Sequence, residues 1–218
     1  MDLYRDIFAV DFFIFSNTNL FTFSTFVSAI VMENPRVIIL PGNGCTPVND
    51  ANWYSFMANK LEKSTKFSEI ILHDMPDPYE AKEIVWLPYI RNEMKVDPNT
   101  IVIGHSSGAV AGLRLLESDA VLGLVLVSAC HTDLGEESER ISGYYSRPWN
   151  YATIKQNAQW ILQFHSDNDP FIPRHEADHV AKSLDLIEGV EYYCYPDKSH
   201  YFTSKDVLPI IDQILLRV

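Results

Sequence analysis

The sequence contains little cysteine, a minority of basic residues and no long apolar run. Its 218 residues include three cysteines and 17 Lys and Arg against 29 Asp and Glu, for a formal net charge of −12. The cysteines are Cys45, Cys130 and Cys194, and their wide spacing matches neither a zinc site nor a disulfide framework, which favours a cytoplasmic protein. The excess of negative charge argues against general binding to nucleic acid or to an anionic membrane.

Residues 1–35 differ in composition from the rest of the chain. They hold seven phenylalanines, but Asp11 interrupts the first apolar stretch. The second stretch, residues 20–32, has only 13 residues, which is short for a membrane-spanning helix. A secretion signal or anchor is the alternative interpretation, since Arg5 precedes apolar residues. We expect this Phe-rich extension to lie outside the fold and residues 1–31 to be dispensable.

Strand and helix signals alternate from residue 36 to residue 218. Short apolar runs such as residues 37–40 and 121–127 are typical of strands that are buried on both faces, and helical patterns separate them. This alternation predicts an α/β fold, a single domain over residues 36–218 with a mainly parallel central sheet and helices on both faces. Residues 131–150 have no clear period, and we interpret them as a long loop or lid.

The segment Gly104-His105-Ser106-Ser107-Gly108 reads G-x-S-x-G. An apolar run precedes it and a helical pattern follows it. This order is typical of a nucleophile elbow, a sharp strand-to-helix turn that exposes the serine and needs small residues beside it. A serine that merely caps a helix after an ordinary turn is the alternative. We predict that Ser106 is a nucleophile.

A serine nucleophile needs an imidazole to take its proton, and the imidazole needs an acid to orient it. In an α/β-hydrolase the acid and then the histidine follow the serine along the chain. Asp169 comes after a predicted strand at residues 160–164, with Asp167 as the alternative acid. His200 comes after a predicted strand at residues 190–195. We therefore assign Asp169 as the acid and His200 as the base.

Acyl transfer also needs N–H donors for the charge that develops on the carbonyl oxygen. Ser107 follows the nucleophile, and its backbone N–H is the first predicted donor. The loop Pro41-Gly42-Asn43-Gly44 follows the first strand and suggests the N–H of Asn43 as the second, although an ordinary Asn-Gly turn has the same composition. Three aromatic residues are assigned to the substrate pocket, namely Trp53, Tyr144 and Trp149, with packing of Tyr144 and Trp149 onto the core as the alternative.

Two further patterns compete with this interpretation. The segment His175-Glu176-Ala177-Asp178-His179 fits H-E-x-x-H, which binds zinc when both histidines face one side of a helix. No third ligand follows at a characteristic spacing, so we expect a solvated helix face, no metal and no other cofactor. The acidic run at residues 133–139 either attracts amine-bearing substrates or is a solvated loop.

With these residues placed, the chain resembles the retinoblastoma-binding protein 9 family of small α/β-hydrolase-fold serine hydrolases. The resemblance extends over residues 36–218. It includes Pro41-Gly42-Asn43-Gly44, Trp53-Tyr54, Met75-Pro76-Asp77-Pro78, Gly104-His105-Ser106-Ser107-Gly108-Ala109, Arg147-Pro148-Trp149 and Asp169-Pro170-Phe171. It implies Ser106 as nucleophile, Asp169 as acid and His200 as base, in a cytoplasmic enzyme that cleaves a small-molecule ester or amide without a cofactor.

Two positions depart from that family. Its members bind retinoblastoma-type proteins through Leu-x-Cys-x-Glu, whereas this chain has Met94-Lys95-Val96-Asp97-Pro98, so we expect no such partner. The family usually has glycine before the catalytic histidine, where this chain has Ser199. A non-catalytic α/β-hydrolase-fold module that binds a protein is the alternative function.

Overall fold

The computed structural model describes residues 33–218, and the expectations for the N-terminal extension therefore lie outside the described residues. Within this part, six parallel strands form one sheet in the order β2-β1-β3-β4-β5-β6. The strands are β1 (Arg36–Leu40), β2 (Glu69–Ile71), β3 (Thr100–His105), β4 (Val121–Val127), β5 (Ala158–Ser166) and β6 (Tyr192–Tyr195). The prediction of a parallel α/β sheet is confirmed.

Helices cover both faces of the sheet. They are α1 (Tyr54–Lys63), α2 (Glu83–Asn92), α3 (Ser107–Leu115), α4 (Glu137–Ser142), α5 (Tyr151–Gln156), α6 (Arg174–Ser183) and α7 (Leu208–Leu215). Alternate residues of β1 belong to two separate apolar clusters, with Ile38 packed beside α2 and α3 and Ile39 beside α1 and α7. Burial on both faces explains why the strands read as continuous apolar runs. Among the helices of residues 33–218, none has the length and apolar composition needed to cross a membrane.

Residues 131–150, which we expected to be a long loop or lid, contain the short helix α4 and are fixed to the domain at both ends. At the first end, the buried carboxylate of Glu176 on α6 accepts hydrogen bonds from the backbone N–H groups of His131 (2.9 Å) and Thr132 (3.0 Å). These charge-assisted bonds attach the start of the segment to a regular helix.

At the other end, the guanidinium of Arg114 on α3 is buried beneath the segment. It donates hydrogen bonds to the backbone carbonyls of Tyr144 (2.8 Å), Arg147 (2.7 Å) and Pro148 (3.1 Å). Its centre also lies 3.6 Å from the centroid of the Trp149 ring. A planar group with five donors suits this position because it satisfies several carbonyls and stacks on an aromatic ring at the same time.

The substitution Arg114→Lys is expected to lower the free energy of unfolding by about 3 kcal/mol, because one ammonium group leaves buried carbonyls without donors and loses the stacking. Urea unfolding followed by circular dichroism measures the change. Arg140→Lys is the matched control, since Arg140 pairs with Glu137 at an exposed position and should change the value by less than about 0.5 kcal/mol. Equal shifts in the two variants would contradict the structural role of Arg114.

Candidate active site

The G-x-S-x-G segment forms a sharp turn between β3 and α3. Ser106 has φ 55° and ψ −119°, a backbone conformation that is strained for a residue with a side chain. A Cβ atom on Gly104 would lie 2.4 Å from the carbonyl oxygen of Gly108, and one on Gly108 would lie 2.3 Å from that of Leu40. Both positions therefore require glycine, as the tightness of the predicted turn implies.

His200 and Asp169 meet at the carboxyl edge of the sheet. The Nδ1 atom of His200 lies 2.8 Å from Oδ2 of Asp169. Since a carboxylate accepts hydrogen bonds, Nδ1 carries the proton and Nε2 has a free lone pair. Burial alone would raise the pKa of Asp169, but hydrogen bonds from His200 and from the backbone N–H groups of Phe171 and Ile172 hold that pKa below its ordinary value.

Ser106 and His200 line one cavity of about 600 Å³, together with Asn43 and Ser107. Within residues 33–218, the backbone N–H groups of Asn43 and Ser107 donate no hydrogen bond to the protein. These two groups are therefore available to a ligand in the cavity. The hydroxyl of Ser106, the imidazole of His200 and these two N–H groups thus border one cavity.

The three aromatic residues assigned to the substrate pocket do not line this cavity. The ring of Trp53 is fully buried, and its indole N–H donates to the carbonyl of Tyr201 at 2.6 Å. Tyr144 is also fully buried, and Trp149 donates from its indole to the carbonyl of His131 at 2.8 Å. The structure places these rings against the apolar core and not at the cavity, and only the two indoles make hydrogen bonds to loop carbonyls.

The cavity has an aromatic part and an acidic part. The rings of Phe171 and Phe202 meet edge to face, with centroids 6.0 Å apart, and each lies within 6 Å of the His200 ring. Glu136 and Glu139 line the cavity from the segment 131–150. Among the described residues that line the cavity there is no Lys or Arg, so its fixed charge is negative.

The H-E-x-x-H pattern lies at the start of α6, and its glutamate has a structural role. The carboxylate of Glu176 accepts bonds from the segment 131–150, including one from the hydroxyl of Thr132 at 2.6 Å. His175 points to solvent with 76% of its side chain exposed, whereas His179 stacks on His131 with ring centroids 3.8 Å apart. Glu176 therefore holds the start of the segment in place.

The sequence did not predict the polar contacts that Ser128 and His105 make at the site. The hydroxyl of Ser128, directly after β4, donates to Oδ2 of Asp169 at 2.9 Å, and the position of Ser128 at the end of a buried strand was the available signal. His105 is bonded at both ring nitrogens, which nothing in the motif indicates. Ser199 has φ 51°, a conformation that favours the glycine found in the resembled family.

Solved structures share this fold at low sequence identity. The ydeN gene product from B. subtilis superposes with a TM-score of 0.70 and 22% identity, covering 84% of this chain and 97% of that one. The ferulic acid-bound Est1E from Butyrivibrio proteoclasticus gives a TM-score of 0.63 and 12% identity, covering 84% and 89%. The described residues thus form an α/β-hydrolase fold.

Sequence comparison defines the family within that fold. Residues 37–192 match the family model described as serine hydrolase. The chain is also 43% identical over 171 residues to the serine hydrolase RBBP9 from Rattus norvegicus, a match that covers 78% of this chain and 89% of the rat protein. The chain belongs to the serine hydrolase family, which confirms the predicted resemblance and the expectation of an enzyme.

The free energy of unfolding should depend on pH in part because His105 is buried. Burial lowers the pKa of this imidazole to about 3, whereas an unfolded histidine titrates near about 6.5. Between these values the unfolded chain binds a proton that the folded chain does not, so this group makes the folded state less stable as the pH falls below about 6.5. We expect His105→Gln to reduce the slope of stability against pH by up to about 1.4 kcal/mol per unit.

Urea unfolding of the parent protein and of His105→Gln between about pH 5 and pH 7 measures this slope. His175→Gln is the control, because that histidine is exposed and its loss should leave the slope unchanged. Parallel curves for the parent and His105→Gln would contradict a neutral, buried His105.

Proposed function

We propose that the chain cleaves a small ester or amide through a Ser-His-Asp catalytic triad, with Ser106 on a nucleophile elbow. One observation carries the proposal: the imidazole of His200, oriented through Nδ1 by Asp169, lines the same cavity as Ser106. A serine on a strained strand-to-helix turn, beside an oriented imidazole with a free nitrogen, is the arrangement that activates a hydroxyl for attack on a carbonyl.

The mechanism follows from these atoms. Nε2 of His200 takes the proton as Oγ of Ser106 attacks the substrate carbonyl, and the backbone N–H groups of Asn43 and Ser107 bind the oxyanion. The protonated imidazole then gives its proton to the leaving alcohol or amine, and an acyl-serine remains. Water attacks the acyl group with His200 again accepting a proton, and Ser106 recovers its hydrogen as the acid leaves.

A fluorophosphonate probe tests the nucleophile directly. We expect it to label the parent protein but not Ser106→Ala, because the probe forms its bond with an activated serine, and we expect hydrolysis to fall at least about 10⁴-fold. Ser138→Ala is the control, since Ser138 lines the same cavity and should leave labelling intact. Intact labelling in Ser106→Ala would refute the assignment, and an unlabelled parent protein would favour the non-catalytic binding module.

The charge of the cavity points to the kind of substrate. Glu136 and Glu139 give it negative charge, so substrates that carry an amine should be preferred to anionic ones, with the acyl or leaving group in contact with Phe171 and Phe202. Burial raises the pKa of Glu139, while a hydrogen bond from the hydroxyl of Tyr145 favours the charged form. The pKa of Glu139 is raised on balance, and a cation that enters the cavity would stabilise the charged form of this carboxyl group.

For a pair of aryl esters that differ only in a cationic or a neutral substituent, Glu139→Gln should lower the preference in kcat/KM for the cationic ester about 5-fold. Glu137→Gln is the control because Glu137 belongs to the same helix but is exposed outside the cavity. An unchanged preference in Glu139→Gln, or an equal change in both variants, would refute the charge argument.

The setting that we propose for this activity is the cytoplasm. All three cysteines carry free thiols in the described residues, with Cys130 buried and the other two partly exposed. Unpaired, partly exposed thiols persist where the environment is reducing. The proposed substrate is a small molecule, consistent with the size of the cavity.

A further inference from the structure

His105, the residue before the proposed nucleophile, is buried and hydrogen-bonded at both ring nitrogens. Its Nε2 atom lies 3.0 Å from the backbone carbonyl oxygen of His200, and its Nδ1 atom lies 2.7 Å from the hydroxyl of Tyr54. A carbonyl oxygen only accepts hydrogen bonds, so Nε2 carries the proton and Nδ1 accepts from the Tyr54 hydroxyl. The imidazole thus connects the carbonyl of the proposed base to the start of α1.

The hydroxyl of Tyr54 extends this connection to a second loop. It accepts a hydrogen bond from the backbone N–H of Gly42 at 2.9 Å, directly before Asn43 and its proposed oxyanion donor. The side chains of both Tyr54 and His105 are fully enclosed, so water does not compete for these bonds. One buried hydroxyl and one buried imidazole therefore join the loop after β1, residues 41–44, to the loop after β6, residues 196–202.

The neighbouring residue reinforces the same attachment. The indole N–H of Trp53 donates to the carbonyl of Tyr201 at 2.6 Å. Consecutive carbonyls of the loop 196–202 are thus held by donors from β3 and from the start of α1. The rings of His105 and His200 are also in contact, with centroids 4.8 Å apart. These contacts fix the backbone that carries the His200 imidazole, which is bonded to Asp169 and lines the same cavity as Ser106.

We propose that Tyr54 and His105 are positioning residues. This Tyr54–His105 bridge holds the loop that carries the base and the loop that carries an oxyanion donor in fixed relative positions for catalysis. The inference rests on the proposed function for its kinetic consequence. Neither residue exchanges a proton with the substrate. They act through the backbone of His200 and of Gly42, where a displacement of about 1 Å is enough to lower a rate about 100-fold.

Two amide substitutions at position 105 separate the two halves of the bridge. The side-chain nitrogen of glutamine reaches the place of Nε2, so His105→Gln keeps a donor for the carbonyl of His200. The shorter asparagine reaches only the place of Nδ1, so His105→Asn retains a partner for Tyr54 and loses the bond to His200. Both variants are uncharged and polar, and they differ in reach alone.

We expect His105→Asn to lower kcat and the rate of fluorophosphonate labelling about 10- to 100-fold with little change in KM, because the substrate contacts remain while the base is misplaced. His105→Gln should stay within about 3-fold of the parent protein. Equal rates in the two variants, whether both slow or both normal, would overturn the role assigned to the bond between His105 and His200.

Tyr54→Phe tests the other half of the bridge. It removes the acceptor for the N–H of Gly42 and the donor for His105, and we expect kcat to fall about 10-fold. Tyr192→Phe is the matched control, because it removes a tyrosine hydroxyl that also makes a 2.7 Å bond, to Asp178, away from the cavity. A comparable loss of kcat in Tyr192→Phe would mean that the effect reflects general destabilisation.

Hydrogen exchange tests the bridge without reference to activity. Peptides that cover residues 196–202 should exchange faster in His105→Asn than in His105→Gln or in the parent protein, while peptides from β4 remain protected in all three. Unchanged exchange in that loop would overturn the bridge even if the protein is an active hydrolase. If that loop exchanges faster in His105→Asn but the fluorophosphonate probe does not label the parent protein, the bridge would stand and the proposed function would be rejected.

Discussion

The site depends on a very close backbone approach between the start of α3 and the end of β1. A side chain at Gly108 would collide with the carbonyls of Leu40 and Pro41, so only glycine lets the two segments touch. This contact brings the N–H of Ser107 and the loop that contains Asn43 to the border of one cavity. The strain at Ser106 is tolerated because the strand before it and the helix after it are both fully packed.

The sheet and the proposed catalytic side chains could be predicted because they follow from local patterns and one topological rule. Buried strands read as apolar runs, and parallel strands end at a common edge. Ser106, Asp169 and His200 each come shortly after such a strand, so their order and spacing placed them on one side of the domain. The meeting of His200 with Asp169 needed no knowledge of the intervening helices.

The aromatic walls of the cavity could not be predicted, because an aromatic ring near a site in sequence is not directed toward it by any local signal. Trp53 turns inward since its indole finds a carbonyl 148 residues further along the chain. Glu176 shows the same limit, because its partners at His131 and Thr132 lie about 45 residues earlier. Such pairings depend on how β4, β5 and α6 pack, and that is a property of the assembled domain.

The segment 131–150 is attached at its two ends by Glu176 and Arg114, while the residues between these anchors supply the acidic part of the cavity. Some side chains thus attach the segment to the domain, while others line the cavity where substrate would bind. Exposed residues between the two anchors can therefore vary while the bonds of Glu176 and Arg114 stay intact, so relatives with the same fold can differ in substrate preference. The stretch between the two anchors is also a suitable place for engineered substitutions that alter substrate preference.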